Sequence, residues 1–163
     1  MVKINAKLVD FKIDDPRLEL FIYYMQTADA INRFANILFY KEGISFIKFI
    51  VLVVLKLNGG TLRPTDIARW TFRERHDITT LIRRLEKEGL VKIERNMIDR
   101  RAIDVSLTDK GKQTLERVDH VSRELPDQIV SSLTDQQVAQ LEELIGILRQ
   151  NAENGLEDIN SSR

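Results

Sequence analysis

The chain has 163 residues, enough for a single domain over residues 1–163, and its 25 basic and 25 acidic side chains give a net charge of zero. It contains no cysteine and only two histidines, far apart, which excludes disulfides, thiol redox sensing and a metal centre built from these ligands. Its longest apolar run, FIVLVVL at 49–55, is far shorter than the ~20 residues of a membrane span, and its charged N-terminus is unlike a secretory signal, so a cytoplasmic protein is expected.

The first predicted helix covers residues 15–42. Asp15 suits the N-cap and Pro16 the first helical position, and apolar residues then follow at spacings of three, four and seven as far as Leu38. Further apolar residues on this helix widen the part of its circumference that must be buried. Because a helix that is apolar over most of its circumference needs cover on more than one side, this helix is expected to contact a partner subunit.

Three more helices are predicted between residues 45 and 88. A strongly apolar one is expected between a cap at Ser45 and the NGG sequence at 58–60. Two short helices follow, the first opening at Pro64 and the second running from about 75 to 88, with Gly89 after it. The second short helix is apolar on one face only. Its other face presents Arg75, His76, Thr79, Thr80, Arg83 and Arg84.

Alternating apolar and polar residues predict two short antiparallel strands, near 91–94 and 103–107, each with one buried face. The basic stretch RNMIDRR at 95–101 joins them. Charge is concentrated around this hairpin, because residues 63–101 hold eleven Lys/Arg against seven Asp/Glu, a net charge of +4, and the remainder carries −4. A basic middle between acidic ends suggests contact with a polyanion.

The C-terminal part is again predicted to be helical. Thr108 should cap a long helix in which Pro126 is expected to produce a kink or a break. The sequence TDQQ at 134–137 is a capping box for a last helix. The segment after Asn151 has too few apolar residues for packing to be expected there.

The order of helix, two short helices and a hairpin is typical of a winged helix-turn-helix, in which the second short helix enters the DNA major groove. From about Ile44 to Gly111 the chain also resembles the MarR family of bacterial transcriptional regulators. The most specific segments are LIRRLEKEGLV and DRRAIDVSLTDKG, and the Asp-x-Arg of the family's wing lies at Asp99 and Arg101.

The resemblance implies a mainly α fold with a small β-hairpin (α+β). It places a winged helix-turn-helix DNA-binding lobe at 44–107 and dimerisation helices at 15–42 and 108–151. The implied function is that of a sequence-specific transcriptional regulator, expected to be a ligand-responsive repressor that binds a pseudo-palindromic operator as a homodimer. No cofactor is expected.

The predicted DNA-binding residues divide by role. Arg101, oriented by an ion pair with Asp99, is assigned to the minor groove, where narrow A·T-rich DNA concentrates negative potential. The residues assigned to base edges are Arg75, His76, Thr79 and Thr80. The residues assigned to the phosphate backbone are Arg83, Arg84, Arg95 and Arg100.

Each assignment has a structural alternative. Arg83 and Arg84 could form intrahelical pairs with Glu86 and Glu88, and the arginine-rich tip could be a solvated turn in a helical protein-interaction module that does not bind DNA. Trp70 is expected in the core. An enzyme is not expected, because the sequence shows no nucleophile with a base and no glycine-rich phosphate loop.

Two further features concern the turn and a possible ligand. Phe72 stands between the two short helices where the family has glycine. The family also implies a small aromatic or anionic effector, bound between the DNA-binding lobe and the dimerisation helices. The candidate pocket residues are Phe39, Tyr40, Phe46 and Phe49, for which the alternative is ordinary core and interface packing.

Overall fold

A computed structural model describes residues 14–96, 99 and 102–161, which form seven helices and three short strands. In chain order these are α1 (Pro16–Lys41), α2 (Phe46–Leu57), β1 (Thr61–Leu62), α3 (Pro64–Thr71), α4 (Arg75–Lys87), β2 (Val91–Arg95), β3 (Ile103–Leu107), α5 (Asp109–Arg117), α6 (Asp119–Val130) and α7 (Asp135–Ser161). They belong to two compact units, one ending at Val121 and the other beginning at Ser122. The predicted fold class, mainly α with a winged helix-turn-helix, is confirmed.

The apolar helix α2 is the centre of the first unit, where it contacts α1, α3, α5 and the sheet. This central position explains its composition, since helices cover it on several sides. The fully buried side chains of this unit include Val51, Leu52 and Leu55 of α2 itself and Phe39, Ile67, Ile78, Leu85, Val105 and Val118 of the other elements.

The junction of α1 and α2 is fixed by a side chain of α1. Ser45 occupies the predicted N-cap position of α2, but its hydroxyl makes no capping hydrogen bond. Instead, the side-chain oxygen of Asn36 accepts the backbone N–H of Phe46 at 3.1 Å. At the other end of α1, Asp15 caps the helix as predicted, accepting the N–H of Arg17 at 2.8 Å.

The predicted hairpin has a third strand. β3 lies between β2 and β1 in an antiparallel sheet, and the two residues of β1 were not predicted from the sequence. Val105 pairs with Ile93 of β2 and with Leu62 of β1, and it is fully buried. Ile103 shares its face but is exposed, because the strands continue past the core towards the tip of the wing.

The helical segment after β3 is interrupted, but not at the position that the sequence predicted. Thr108 caps α5 as predicted, but the helix stops at Val118, whose φ of −94° and ψ of 6° leave the helical region. The next helix, α6, continues through Pro126 to Val130, so Pro126 does not break the helix, and the kink given as the alternative stays a prediction. Val118 at this turn is buried, whereas Pro126 is exposed.

The last helix is longer than expected. The capping box is formed as predicted: the N–H of Thr134 donates to the side-chain oxygen of Gln137 at 2.9 Å, and the Thr134 hydroxyl accepts the N–H of Gln137 at 3.3 Å. The helix then continues past Asn151 to Ser161. Within the described residues, no helix combines the length and apolarity needed to cross a membrane.

Candidate nucleic-acid interface

The helix-turn-helix consists of α3, a three-residue turn and α4. Phe72 ends α3 in the left-handed conformation, with φ 50° and ψ 42°. Glu74 takes the N-cap position of α4 without a side-chain capping bond. Past the helix, Gly89 has φ 72°, which favours glycine after a helix C-terminus.

Trp70 is exposed over 56% of its surface, so the prediction that it belongs to the core was wrong. The helix α3 has only eight residues, and Ile67 and Ala68 occupy its buried face. Trp70 therefore lies on the outer surface of the lobe, in the last turn before Phe72.

The exposed face of α4 carries arginines that make no ion pair within the described part of the chain. Arg75, Arg83 and Arg84 are all exposed. The alternative pairs along the helix are not formed, because Glu86 accepts a backbone N–H of β2 at 3.2 Å and Glu88 pairs with a lysine of α2. The guanidinium groups are therefore available to an outside anion.

The other predicted residues of α4 differ in exposure. His76 is exposed, with its Nδ1 3.8 Å from a carboxylate oxygen of Asp77. Thr80 is also exposed, whereas Thr79 is half-buried. The Thr79 hydroxyl donates to the backbone carbonyl of Arg75 at 2.8 Å, which leaves its oxygen as an acceptor.

A groove of about 380 Å³ lies where the start of α3, the N-terminal half of α4 and the wing meet. Its lining consists of Arg63, Pro64, Thr65, Arg75, Thr79, Asp99, Ala102 and Ile103. Three predicted site residues, Arg75, Thr79 and Asp99, thus meet there. Sequence reasoning missed Arg63 and Thr65, although one signal was present: Arg63 stands at the N-cap of α3, where no side-chain bond satisfies the first N–H groups.

The tip of the wing is organised by Asn96. Its side-chain oxygen accepts the N–H of Asp99 at 2.8 Å, and its amide nitrogen donates to the Asp104 carboxylate at 2.7 Å. The carbonyl of Asp99 accepts the N–H of Ala102 at 2.9 Å. These bonds hold the backbone at position 99 and leave the Asp99 residue exposed.

The arginines of the wing are only partly described. Arg95 ends β2, is exposed, and forms no ion pair with another described residue. Arg100 and Arg101 lie outside the described residues. The minor-groove role of Arg101 and its pairing with Asp99 therefore stay predictions.

Three of the four aromatic residues predicted to line a ligand pocket gather at the α1–α2 junction. The ring of Phe39, fully buried, lies 5.4 Å from that of Phe46 and 4.3 Å from that of Phe49, measured between centroids. Tyr40 is not among them, since 65% of its surface is exposed. Within residues 14–96, 99 and 102–161, no group of three metal-ligating side chains is placed to hold a metal.

Residues 42–102 match the profile of the MarR family. The HTH-type transcriptional repressor MdtR of Bacillus subtilis (strain 168) is 32% identical over 113 residues, which make up 69% of this chain and 72% of MdtR. The chain belongs to the MarR family.

Solved structures show the MarR fold over most of the chain. A MarR mutant from E. coli complexed with operator DNA is 22% identical, with a TM-score of 0.77 over 85% of this chain and 99% of that one. The organohalide-sensing regulator RdhR-CbdbA1625 in its 2,4-dichlorophenol-bound form is 21% identical, with a TM-score of 0.79. The match covers 93% of this chain and 89% of that one. Family membership makes the protein a DNA-binding transcriptional regulator and not an enzyme, as the sequence predicted.

Proposed function

We propose that the protein is a homodimeric repressor that binds a pseudo-palindromic operator and is released from it by a small effector. The observation that carries the proposal is the exposed face of α4, on which Arg75, Arg83 and Arg84 have no acidic partner among the described residues. In a winged helix-turn-helix dimer, two such helices enter successive major grooves about one helical turn, ~34 Å, apart.

The proposed DNA contacts are of three kinds: to base edges, to phosphates and to the minor groove. Base edges are contacted by Arg75, His76, Thr79 and Thr80 at the N-terminal half of α4. Phosphates are contacted by Arg83, Arg84, Arg95 and Arg100, which fix the register of the protein on DNA. Arg101, aimed by Asp99, enters the minor groove.

Two exposed apolar surfaces support a homodimer held by the helices at 15–42 and 108–151. On α1 the exposed apolar side chains are Leu18, Leu20, Phe21, Tyr23, Tyr24, Met25, Ile37 and Tyr40. On α7 they are Leu141, Leu144, Ile147, Leu148, Leu156 and Ile159. Two helices with this much exposed apolar surface are unusual in a monomer and typical of a subunit interface.

A small aromatic or anionic molecule is proposed as the effector. The support is the aromatic cluster of Phe39, Phe46 and Phe49 at the α1–α2 junction, with Tyr40 nearby in sequence. RdhR-CbdbA1625, which shares the fold, has been solved with 2,4-dichlorophenol bound. The effector must bind the DNA-incompetent state more tightly than the competent one, since only differential affinity shifts the population.

Fluorescence anisotropy on labelled duplex DNA tests the proposal. The probe is the DNA upstream of the protein's own coding region, titrated over a range of salt concentrations and compared with a scrambled duplex of equal composition. We expect specific binding, and we expect the logarithm of the association constant to fall linearly with the logarithm of the salt concentration, with a slope of about −0.9 per neutralised phosphate. A panel of phenols and aromatic acids should then release the DNA. Failure to bind either duplex at any salt concentration would instead favour a protein-interaction module.

A further inference from the structure

The C-terminal end of α4, the recognition helix of the proposed complex, is bonded to three other elements. The carboxylate of Glu88, the C-cap residue of α4, pairs with the ammonium group of Lys48 on α2, 40 residues away in the sequence. The backbone carbonyl of Glu88 accepts a hydrogen bond from Nζ of Lys110 on α5 at 2.7 Å. The side chain of Glu86 accepts the backbone N–H of Ile93 on β2 at 3.2 Å. The last turn of α4 is thus joined to α2, α5 and β2.

The N-terminal half of α4, which carries the proposed base contacts, differs in this respect. Among the described residues, the polar side chains from Arg75 to Thr80 make no hydrogen bond or ion pair with another element. The Thr79 hydroxyl donates to a carbonyl of its own helix, and His76 lies beside Asp77, its neighbour in the chain. The polar bonds that fix the direction of α4 therefore lie at the end away from the proposed base contacts.

The pair between Lys48 and Glu88 joins the side chains of two helices. The side chain of Lys48 is only 21% exposed and that of Glu88 is 44% exposed. The ammonium groups of Lys48 and Lys110 both lie at the C-terminal end of α4, where the helix dipole favours a cation. A partly exposed ion pair adds little to the free energy of unfolding, because solvent screens it and both side chains lose rotamer freedom. Its main effect here is to constrain the position of one helix relative to another.

We propose that the Lys48–Glu88 pair sets the direction of α4 and so positions its N-terminal half for contact with base edges; this inference rests on the proposed binding of α4 to the major groove. The 13 residues of α4 give it a length of about 20 Å. A rotation of about 3° at the C-terminal end therefore moves the N-terminal end by about 1 Å, more than the ~0.5 Å range of normal hydrogen-bond lengths. Neither Lys48 nor Glu88 needs to contact DNA for this effect.

The test compares the parent protein with Glu88→Gln and Lys48→Gln, each titrated on the footprinted operator and on a scrambled duplex. Glu88→Gln is the more informative variant, because it removes a negative charge from the DNA-binding lobe, and electrostatics alone would then strengthen binding to any DNA. Positioning predicts the opposite result on the operator. We expect the ratio of operator affinity to scrambled-duplex affinity to fall about threefold or more in each variant.

Two further variants separate positioning from other effects of the pair. The double variant Lys48→Gln/Glu88→Gln should have a ratio no lower than the lower of the two single variants, because either change breaks the same pair. Lys48→Arg keeps the positive charge and should retain most of the parent's ratio. These effects should appear with little change in Tm, since the pair contributes little to stability.

Glu94→Gln is the matched control. Glu94 pairs with Lys92 at 2.6 Å within the single strand β2, so this change also removes one carboxylate from an exposed ion pair. It breaks no link between two elements. We expect its ratio of operator affinity to scrambled-duplex affinity to equal that of the parent.

The possible outcomes distinguish the inference from the proposed function. An unchanged ratio in Glu88→Gln overturns the inference and leaves the proposed function intact. Weaker binding by Lys48→Gln together with stronger binding by Glu88→Gln also overturns it, because Lys48 would then be a phosphate contact. An equal loss on both duplexes overturns it as well, since the pair would then matter for folding alone. A parent protein that binds no duplex specifically overturns both proposals.

Discussion

Gly111 lies so close to the carbonyl oxygen of Leu90 that a Cβ atom at position 111 would come within 2.3 Å of it. The same atom would be 2.7 Å from Cδ1 of Leu107. Beside it, the Thr108 hydroxyl accepts the N–H of Gly111 at 3.0 Å and lies 2.7 Å from the carbonyl oxygen of Gly89. The first turn of α5 is therefore fitted against the turn that follows α4, and this contact fixes the base of the wing relative to the recognition helix.

Gly111→Ala should destabilise the protein by about 1–3 kcal/mol, because the new methyl group meets a backbone oxygen that cannot rotate away. Thermal unfolding followed by circular dichroism measures the effect as a lower Tm. The matched control is Gly146→Ala in α7, where a Cβ meets nothing within 4 Å. That change should stabilise the helix by up to about 1 kcal/mol. An unchanged Tm for Gly111→Ala would show that the two turns are less closely packed than the structure indicates.

Placing a charge on the exposed apolar face of α1 or α7 should separate the proposed dimer. Phe21→Glu and Leu144→Glu are each expected to shift the protein towards monomer, measured by light scattering on a gel-filtration column, because a carboxylate would be buried in an apolar interface. Leu57→Glu is the control, since Leu57 is 77% exposed at the end of α2 and is not part of either face. Deleting α1 would be less informative, because it would also remove Phe39 from the core. Dimers that persist in both variants would argue against these faces as the interface.

Local signals in the sequence predicted most of the helix boundaries. The caps at Asp15 and Thr108 and the capping box at 134–137 depend on residues that are neighbours in the chain, and all three are formed. The recognition helix α4 could also be predicted from the sequence, since its apolar residues repeat on one face and Gly89 follows it. These features are encoded within a few residues and need no tertiary information.

Features that depend on distant contacts were missed. The strand β1 has two residues and exists because β3 pairs with it, which no local pattern shows. The helix α5 ends at the buried Val118, whereas the sequence pointed to Pro126, which lies inside the next helix. Part of the candidate site was missed for the same reason, because Arg63 joins the groove only when the start of α3 comes next to the wing.

Arg101→Ala should weaken operator binding by roughly tenfold to hundredfold without changing the oligomeric state, because a minor-groove guanidinium is lost. Anisotropy titrations on operators with A·T-rich or G·C-rich sequence at the wing contact measure the effect. The parent should prefer the A·T-rich duplex, and the variant should lose that preference. Arg101→Lys keeps the charge without the planar fork and should be intermediate. Equal binding by parent and Arg101→Ala at every salt concentration would refute the minor-groove role.

Arg83 and Arg84 give the most direct test of the α4 face, because their intrahelical partners are engaged elsewhere. Replacing either by glutamine should weaken specific and non-specific DNA binding by similar factors, since phosphate contacts carry no base information. In a dimer two contacts are lost at once, so the slope of log affinity against log salt should fall by about 1.8. Lys112→Gln is the control, because that lysine pairs with Asp109 at 2.9 Å in α5 and should leave the slope unchanged. If the slope stays the same in Arg83→Gln and Arg84→Gln, these arginines are solvated in the complex, and the phosphate contacts must come from the groove and the wing.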